Sequence, residues 1–291
     1  MKPFTSEFIT VRGLRCHLRH WGEEGAPLLV MLHGWMDVSA SFQFVVDHLK
    51  QNWHVVAPDW RGFGLSQNGG GDTYYFADYV GDLDAILTYC SHDAPVNLLG
   101  HSMGANIACL YAGIRPERVA KLINLEGFGM GATRPEQAPQ RYAKWLGELR
   151  EPPRLMTYAG EGEVAARLRK NNPRLSAERA AFLAPHWGHQ TSDGVWEIRG
   201  DPAHKGVSPI LYRIDEVLAC WRAITAPVLW VEAEQTEVWR FFGGKEEARA
   251  EIERRKVHVA DLKTEIVADA GHMLHHDQPE RLAWLIEDFL A

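Results

Sequence analysis

Val96-Asn97-Leu98-Leu99-Gly100-His101-Ser102-Met103-Gly104-Ala105 is the stretch that decides the fold. An apolar run enters a Gly-x-Ser-x-Gly, and a helical pattern leaves it through Ile107, Ala108, Leu110 and Tyr111. Only Gly100 to Gly104 separate the two, so the spacing predicts a strand, a very tight turn and a helix, with Ser102 at the apex. A serine held on so sharp a turn takes a positive φ. Side chains two residues to either side would collide, and glycine stands at both places. The turn projects the hydroxyl out of the sheet. The first turn of the helix places free N–H groups and a positive dipole end beside it. A glycine-rich turn without chemistry is the plainer reading of the same five residues. The strand before it and the helix after it favour a nucleophile.

Outward from this stretch the same alternation repeats. Two short strands, Glu7 to Arg12 and Leu14 to Trp21, flank a turn at Gly13. Pro27 to Leu32, His54 to Ala57, Lys121 to Glu126 and Pro227 to Val231 are continuous apolar runs, the pattern of strands buried on both faces. Thr264 to Ala268 is expected as the last strand. Helical spacing marks Ser39 to Leu49, Tyr75 to Cys90 and Lys245 to Arg255. Asp277-Gln278-Pro279-Glu280 has the spacing of a capping box for a final helix through Leu290. Asn68-Gly69-Gly70-Gly71-Asp72 reads as a surface loop and not as a phosphate cradle, because no strand leads into it and no lysine follows. Alternating strands and helices predict an α/β fold with a mostly parallel sheet covered on both faces. Ligands of such sheets gather at the strand carboxyl ends, where His33-Gly34, Asp59, Ser102 and Glu126 all fall.

Strand patterns stop between residues 130 and 215. Arg141 to Arg150, Gly162 to Asn171 and Ser176 to His186 read as amphipathic helices, and Thr191 to Ser208 as irregular. The expected division is a core of residues 1–129 and 216–291, with 130–215 as a helical cap over the strand ends.

Of 291 residues 46% are apolar, enough for a sizeable core, and the formal charge of −7 argues against a nucleic-acid partner. Cys16, Cys90, Cys109 and Cys220 have no paired spacing, which points to free thiols in a reducing, cytoplasmic setting. Neither an apolar leader at the N-terminus nor a membrane-spanning run is visible. A small-molecule substrate is therefore expected, with no cofactor. The oligomeric state is not legible.

Taken together, His33-Gly34-Trp35, Asp59-Trp60-Arg61-Gly62-Phe63-Gly64-Leu65-Ser66, Gly100-His101-Ser102-Met103-Gly104 and Gly271-His272 resemble the α/β-hydrolase superfamily over nearly the whole chain. Within it the chain is similar to the capped branch of haloalkane dehalogenases, epoxide hydrolases and serine-hydrolase-like proteins. The last group is nearest, by His33-Gly34-Trp35-Met36-Asp37 and by the segment from Trp196 to Lys205 with its Asp201-Pro202. Dehalogenases and epoxide hydrolases carry an aspartate at the nucleophile, and Ser102 here argues against both activities. A serine needs an adjacent base. His272 matches the family's catalytic histidine. A metal reading of His272, His275 and His276 is weak, because no paired carboxylate motif accompanies them. The backbone N–H of Met103 and that of Trp35 are the expected oxyanion donors, and the Trp35 ring could also roof the pocket. His101, Asp59 and Arg61 read as structural. The usual acid position after the Pro227–Val231 strand falls on Thr236, which carries no charge. The branch's second solution falls on Glu126, with Glu232, Glu234 and Glu237 as rivals. The resemblance implies a serine hydrolase working through an acyl-enzyme, most simply a carboxylesterase for small or medium apolar acyl groups. A C–C bond hydrolase or lactonase would use the same triad, and a non-catalytic ligand-binding member of the fold is the alternative of another class.

Overall fold

Arg12 (φ 47°) and Gly13 (φ 85°) set the first hairpin, a two-residue turn of left-handed residues joining β1 (Phe4–Val11) to β2 (Leu14–Trp21). The structure is a computed structural model that describes residues 1–291 apart from the side chain of Phe241. There follow β3 (Leu28–Leu32), α1 (Gln43–His48), β4 (His54–Pro58), α2 (Phe76–Ser91), β5 (Val96–His101), α3 (Met103–Ile114) and β6 (Val119–Leu125). Residues 138–198 form α4 (Ala138–Arg150), β7 (Thr157–Tyr158), α5 (Glu161–Asn171), α6 (Ala177–Trp187), β8 (Gly188–Gln190) and β9 (Trp196–Ile198). The chain closes with α7 (Ile214–Arg222), β10 (Val228–Ala233), α8 (Lys245–Lys256), β11 (Leu262–Val267), α9 (Leu274–Asp277) and α10 (Pro279–Leu290).

Eight strands form one sheet in the order β1-β2-β4-β3-β5-β6-β10-β11, antiparallel only where β2 meets β1 and β4. The parallel strands other than the edge strand β11 are buried on both faces, and their side chains divide by parity. Val30 and Leu32 of β3, Leu98 of β5 and Val228 and Trp230 of β10 join one core with Leu83, Ile107, Tyr111 and Trp221 from α2, α3 and α7. Leu29, Met31, Leu99, Leu229 and Val231 join the other, against Val45 and Val46 of α1 and Leu282, Leu285 and Ile286 of α10. This is the period-two alternation of a strand with no solvent face. Each such aliphatic side chain contributes about 1.5–3 kcal/mol by leaving water.

Three local expectations change. The Ser39–Leu49 helix begins as a 3-10 turn, Ser39–Phe42, before α1. The Ser39 N–H is held by Asp59 and the Ser41 hydroxyl by Asp37, which tightens that turn. The segment read as irregular contains β9, which pairs with β8 just before it and with β7 in a small antiparallel sheet. The capping box is not formed. Gln278 precedes α10, while Asp277 ends α9 and accepts from Gly271 N at 2.8 Å and Asn172 Nδ2 at 2.8 Å. The four cysteines are unpaired, and among the described residues no helix is long and apolar enough to cross a membrane.

Candidate active site

Ser102 sits between β5 and α3 with φ 53° and ψ −113°. Its neighbours show why small residues surround it. A Cβ on Gly100 would lie 2.4 Å from Ala105 N, and one on Gly104 2.2 Å from Leu32 O. A Cβ on Gly34 would meet His101 Nδ1 at 3.0 Å and Ser102 Cβ at 3.3 Å. The loop after β3 can therefore pass directly over the serine only as glycine.

His272 lies in the turn after β11. Its Nε2 is 2.9 Å from Ser102 Oγ, and its Nδ1 is 3.1 Å from Glu126 Oε2. Glu126 directly follows β6 with φ 59° and is buried. Its N–H donates to Val231 O at 3.1 Å, and its Oε1 accepts from Ala233 N at 2.7 Å. Thr236 donates its hydroxyl to Glu126 Oε2. Thr236, which lacks the charge expected at its position, thus orients the carboxylate that reaches across from the neighbouring strand. The other glutamates are engaged elsewhere. Glu232 pairs with Lys256 and Arg249, Glu234 accepts from Asp269 N, and Glu237 pairs with Arg240.

The histidine next to the serine has a different task. His101 Nε2 donates to His272 O at 2.8 Å and so fastens the His272 turn to β5. Burial pushes its pKa well below the usual histidine value, keeping it neutral. His33 is also buried and lowered by desolvation. It accepts from Trp60 N at 2.9 Å and donates from Nδ1 to Gly34 O at 2.8 Å, which shapes the loop that carries Trp35. Asp59 accepts from His17, Ser39 N and Leu65 N, and Arg61 forms a bidentate pair with Asp82. Both hold the turn after β4 and stand outside the serine's contacts.

Met103 is the first residue of α3, so its N–H has no intrahelical acceptor. Among the described residues the Trp35 N–H makes no backbone hydrogen bond either. The Trp35 indole, 52% exposed, donates to His204 O at 3.2 Å and lies at the pocket rim.

Ser102 and His272 open into a cavity of about 330 Å³. Gly34, Trp35 and Met273 line it from the sheet side, and Leu168, Trp187 and Ile198 from residues 138–198. The segment between β6 and α7 thus faces Ser102 across the cavity.

Among the described residues His272, His275 and His276 do not form one metal-type group, although the His275 and His276 rings touch with centroids 4.3 Å apart. His275 instead joins Asp37 and His101, three buried residues whose ligand-type atoms all lie within 4.8 Å of one another. The sequence reading missed this group, because Asp37 and His275 are brought together only by the packing of the 3-10 turn on α9. Such a group could hold a small cation or a bridging water.

A strand-turn-helix serine backed by histidine and a buried carboxylate, on a mostly parallel sheet, defines the architecture of the α/β hydrolases. The chain belongs to the alpha/beta hydrolase fold family, whose model matches residues 27–279. It is similar to a serine hydrolase-like protein of Danio rerio, 26% identical over 281 residues and covering 93% of this chain and 83% of that one. Serine hydrolase-like protein 2 of Homo sapiens is 24% identical, over 93% of this chain and 88% of its own. Among solved structures, a thioesterase domain from the curacin biosynthetic pathway superposes with a TM-score of 0.87 at 25% identity, covering 98% of this chain and 99% of that one.

Proposed function

We propose that the protein is a serine hydrolase that cleaves carboxylic esters of small or medium apolar acyl groups through an acyl-enzyme. The observation that carries this reading is the unbroken relay from Ser102 Oγ through His272 to Glu126, opening into a mainly apolar cavity. Ser102 Oγ attacks the ester carbonyl while His272 Nε2 takes its proton. The carbonyl oxygen becomes an oxyanion facing the Met103 and Trp35 N–H groups. Glu126 accepts the Nδ1–H, which fixes the tautomer and stabilises the imidazolium. The imidazolium then protonates the leaving alcohol. A water, activated by the same nitrogen, attacks the acyl-enzyme and releases the acid. The scheme draws on protein groups and water alone.

Residues 130–215 act in this reading as a cap that selects the acyl chain. Its support is the cavity wall formed by Leu168, Trp187 and Ile198. Serine hydrolase-like and thioesterase names among similar proteins agree with the reaction class. Four unpaired cysteines suit a cytoplasmic setting. The test is turnover of p-nitrophenyl esters of graded chain length. Wild type should hydrolyse short and medium esters, and Ser102→Ala should lose roughly 10³-fold or more in kcat with folding unchanged. A variant within about tenfold of wild type would remove Ser102 from the mechanism.

A further inference from the structure

The cavity above Ser102 is not apolar throughout. Arg167, on α5, lines it, half-buried. The sequence offers Arg167 a natural ion-pair partner in Glu163, four residues earlier on the same helix. That carboxylate is used otherwise: Glu163 Oε2 accepts from Ala159 N at 2.8 Å, at the start of α5. Among the described residues Arg167 makes no ion pair and no hydrogen bond. Beside it Tyr158 lines the same cavity, with 8% of its surface exposed, and its hydroxyl has no partner within the protein. Burial raises the Tyr158 pKa, so the phenol stays protonated and is a donor, while Arg167 acts on it in the opposite direction. Lys205 also lines the wall, with its exposed ammonium donating to Arg154 O at 3.3 Å. Among the described residues the one acidic side chain lining the cavity is Asp37, which is buried, accepts the Ser41 hydroxyl and lies 3.7 Å from His275 Nε2. A chain of formal charge −7 therefore lines the cavity of its candidate nucleophile with the guanidinium of Arg167 and the partnerless phenol of Tyr158.

A buried donor without an acceptor is destabilising, and an acceptor on a bound ligand would relieve it. A guanidinium beside it supplies the fork that fits a carboxylate or phosphate. We propose that Arg167 and Tyr158 form an anion subsite, and that the substrate is an ester carrying an anionic group away from the scissile bond, with its apolar chain against Leu168 and Trp187. This deepens the hydrolase reading and rests on it for the cleaved bond alone.

The test compares matched esters. Mono-p-nitrophenyl adipate places a carboxylate at the end of the acyl chain, and p-nitrophenyl hexanoate is its neutral counterpart. The butyrate ester of 4-hydroxybenzoate places the carboxylate on the alcohol side, against phenyl butyrate. Wild type should favour at least one anionic ester over its neutral partner by roughly tenfold or more in kcat/KM, and the favoured pair tells which side of the ester carries the charge. Arg167→Met should abolish that preference while neutral turnover stays within about threefold, and Tyr158→Phe should reduce it. Adipate monoamide should bind Ser102→Ala in calorimetry, and binding should weaken by roughly tenfold or more when Arg167→Met is added. Neutral esters preferred throughout, or a preference that survives Arg167→Met, overturns the subsite and leaves the hydrolase reading intact. Absence of all turnover with Arg167-dependent binding of adipate monoamide does the reverse.

Discussion

At the scale of single residues, Glu126 carries a role that its neighbours divide. Its carboxylate accepts from Ala233 N and Thr236 and faces His272 Nδ1. Glu126→Gln keeps the shape and at least one acceptor oxygen but removes the charge that would stabilise an imidazolium. Turnover should fall by about 10²–10⁴-fold while the thermal midpoint moves little, read from ester kinetics beside a melting curve. An unchanged kcat would return the acid to an unidentified group. Ser102, Met103 and His272 were legible as candidates because each lies within or beside a short motif whose chemistry demands it. Glu126 was legible only as one of several glutamates. The parallel register that sets Leu125 against Val231, and so brings Ala233 and Thr236 to its carboxylate, joins residues more than 100 positions apart. Asp37 and His275 stayed hidden for the same reason.

Secondary-structure elements show where periodicity suffices. β3, β5 and β10 were legible from their apolar runs, because strands buried on both faces leave no polar alternation to misread. β7, β8 and β9 are two or three residues long, too short for a period to appear, and the segment holding β9 read as irregular. Asp277 misled in another way. Its spacing to Glu280 is right for a cap, but its carboxylate is drawn to Gly271 N and Asn172. The turn between β5 and α3 yields a sharp expectation. A Cβ at position 104 would lie 2.2 Å from a backbone oxygen of β3, which cannot rotate away. Gly104→Ala should therefore cost about 1–3 kcal/mol or more in urea unfolding, with lower activity in the folded fraction. A variant as stable as wild type would show that β3 and α3 are not packed as described.

The whole molecule couples its histidines to acid stability. Burial is the first cause of the lowered pKa of His101, of His186 and His204 (each to about 4), and of His276 (to about 3). Each is thus neutral when folded and takes up a proton on unfolding below the ordinary value of about 6.5. The unfolded chain binds more protons in that window, so stability is full above about pH 6.5 and falls steadily as the pH drops toward 4. Urea midpoints at pH 7, 6 and 5 should decline in that order, and a flat profile would contradict the burial of these rings. Beyond stability, the central claim is that fold and site together make Ser102 a nucleophile. A fluorophosphonate, which reacts with serines activated by such a relay, tests this most directly when the intact mass is measured and the modified peptide is sequenced. The account predicts a single adduct on Ser102, abolished by Ser102→Ala and strongly slowed in His272→Gln. An unmodified chain, or an adduct on any other residue, would contradict it.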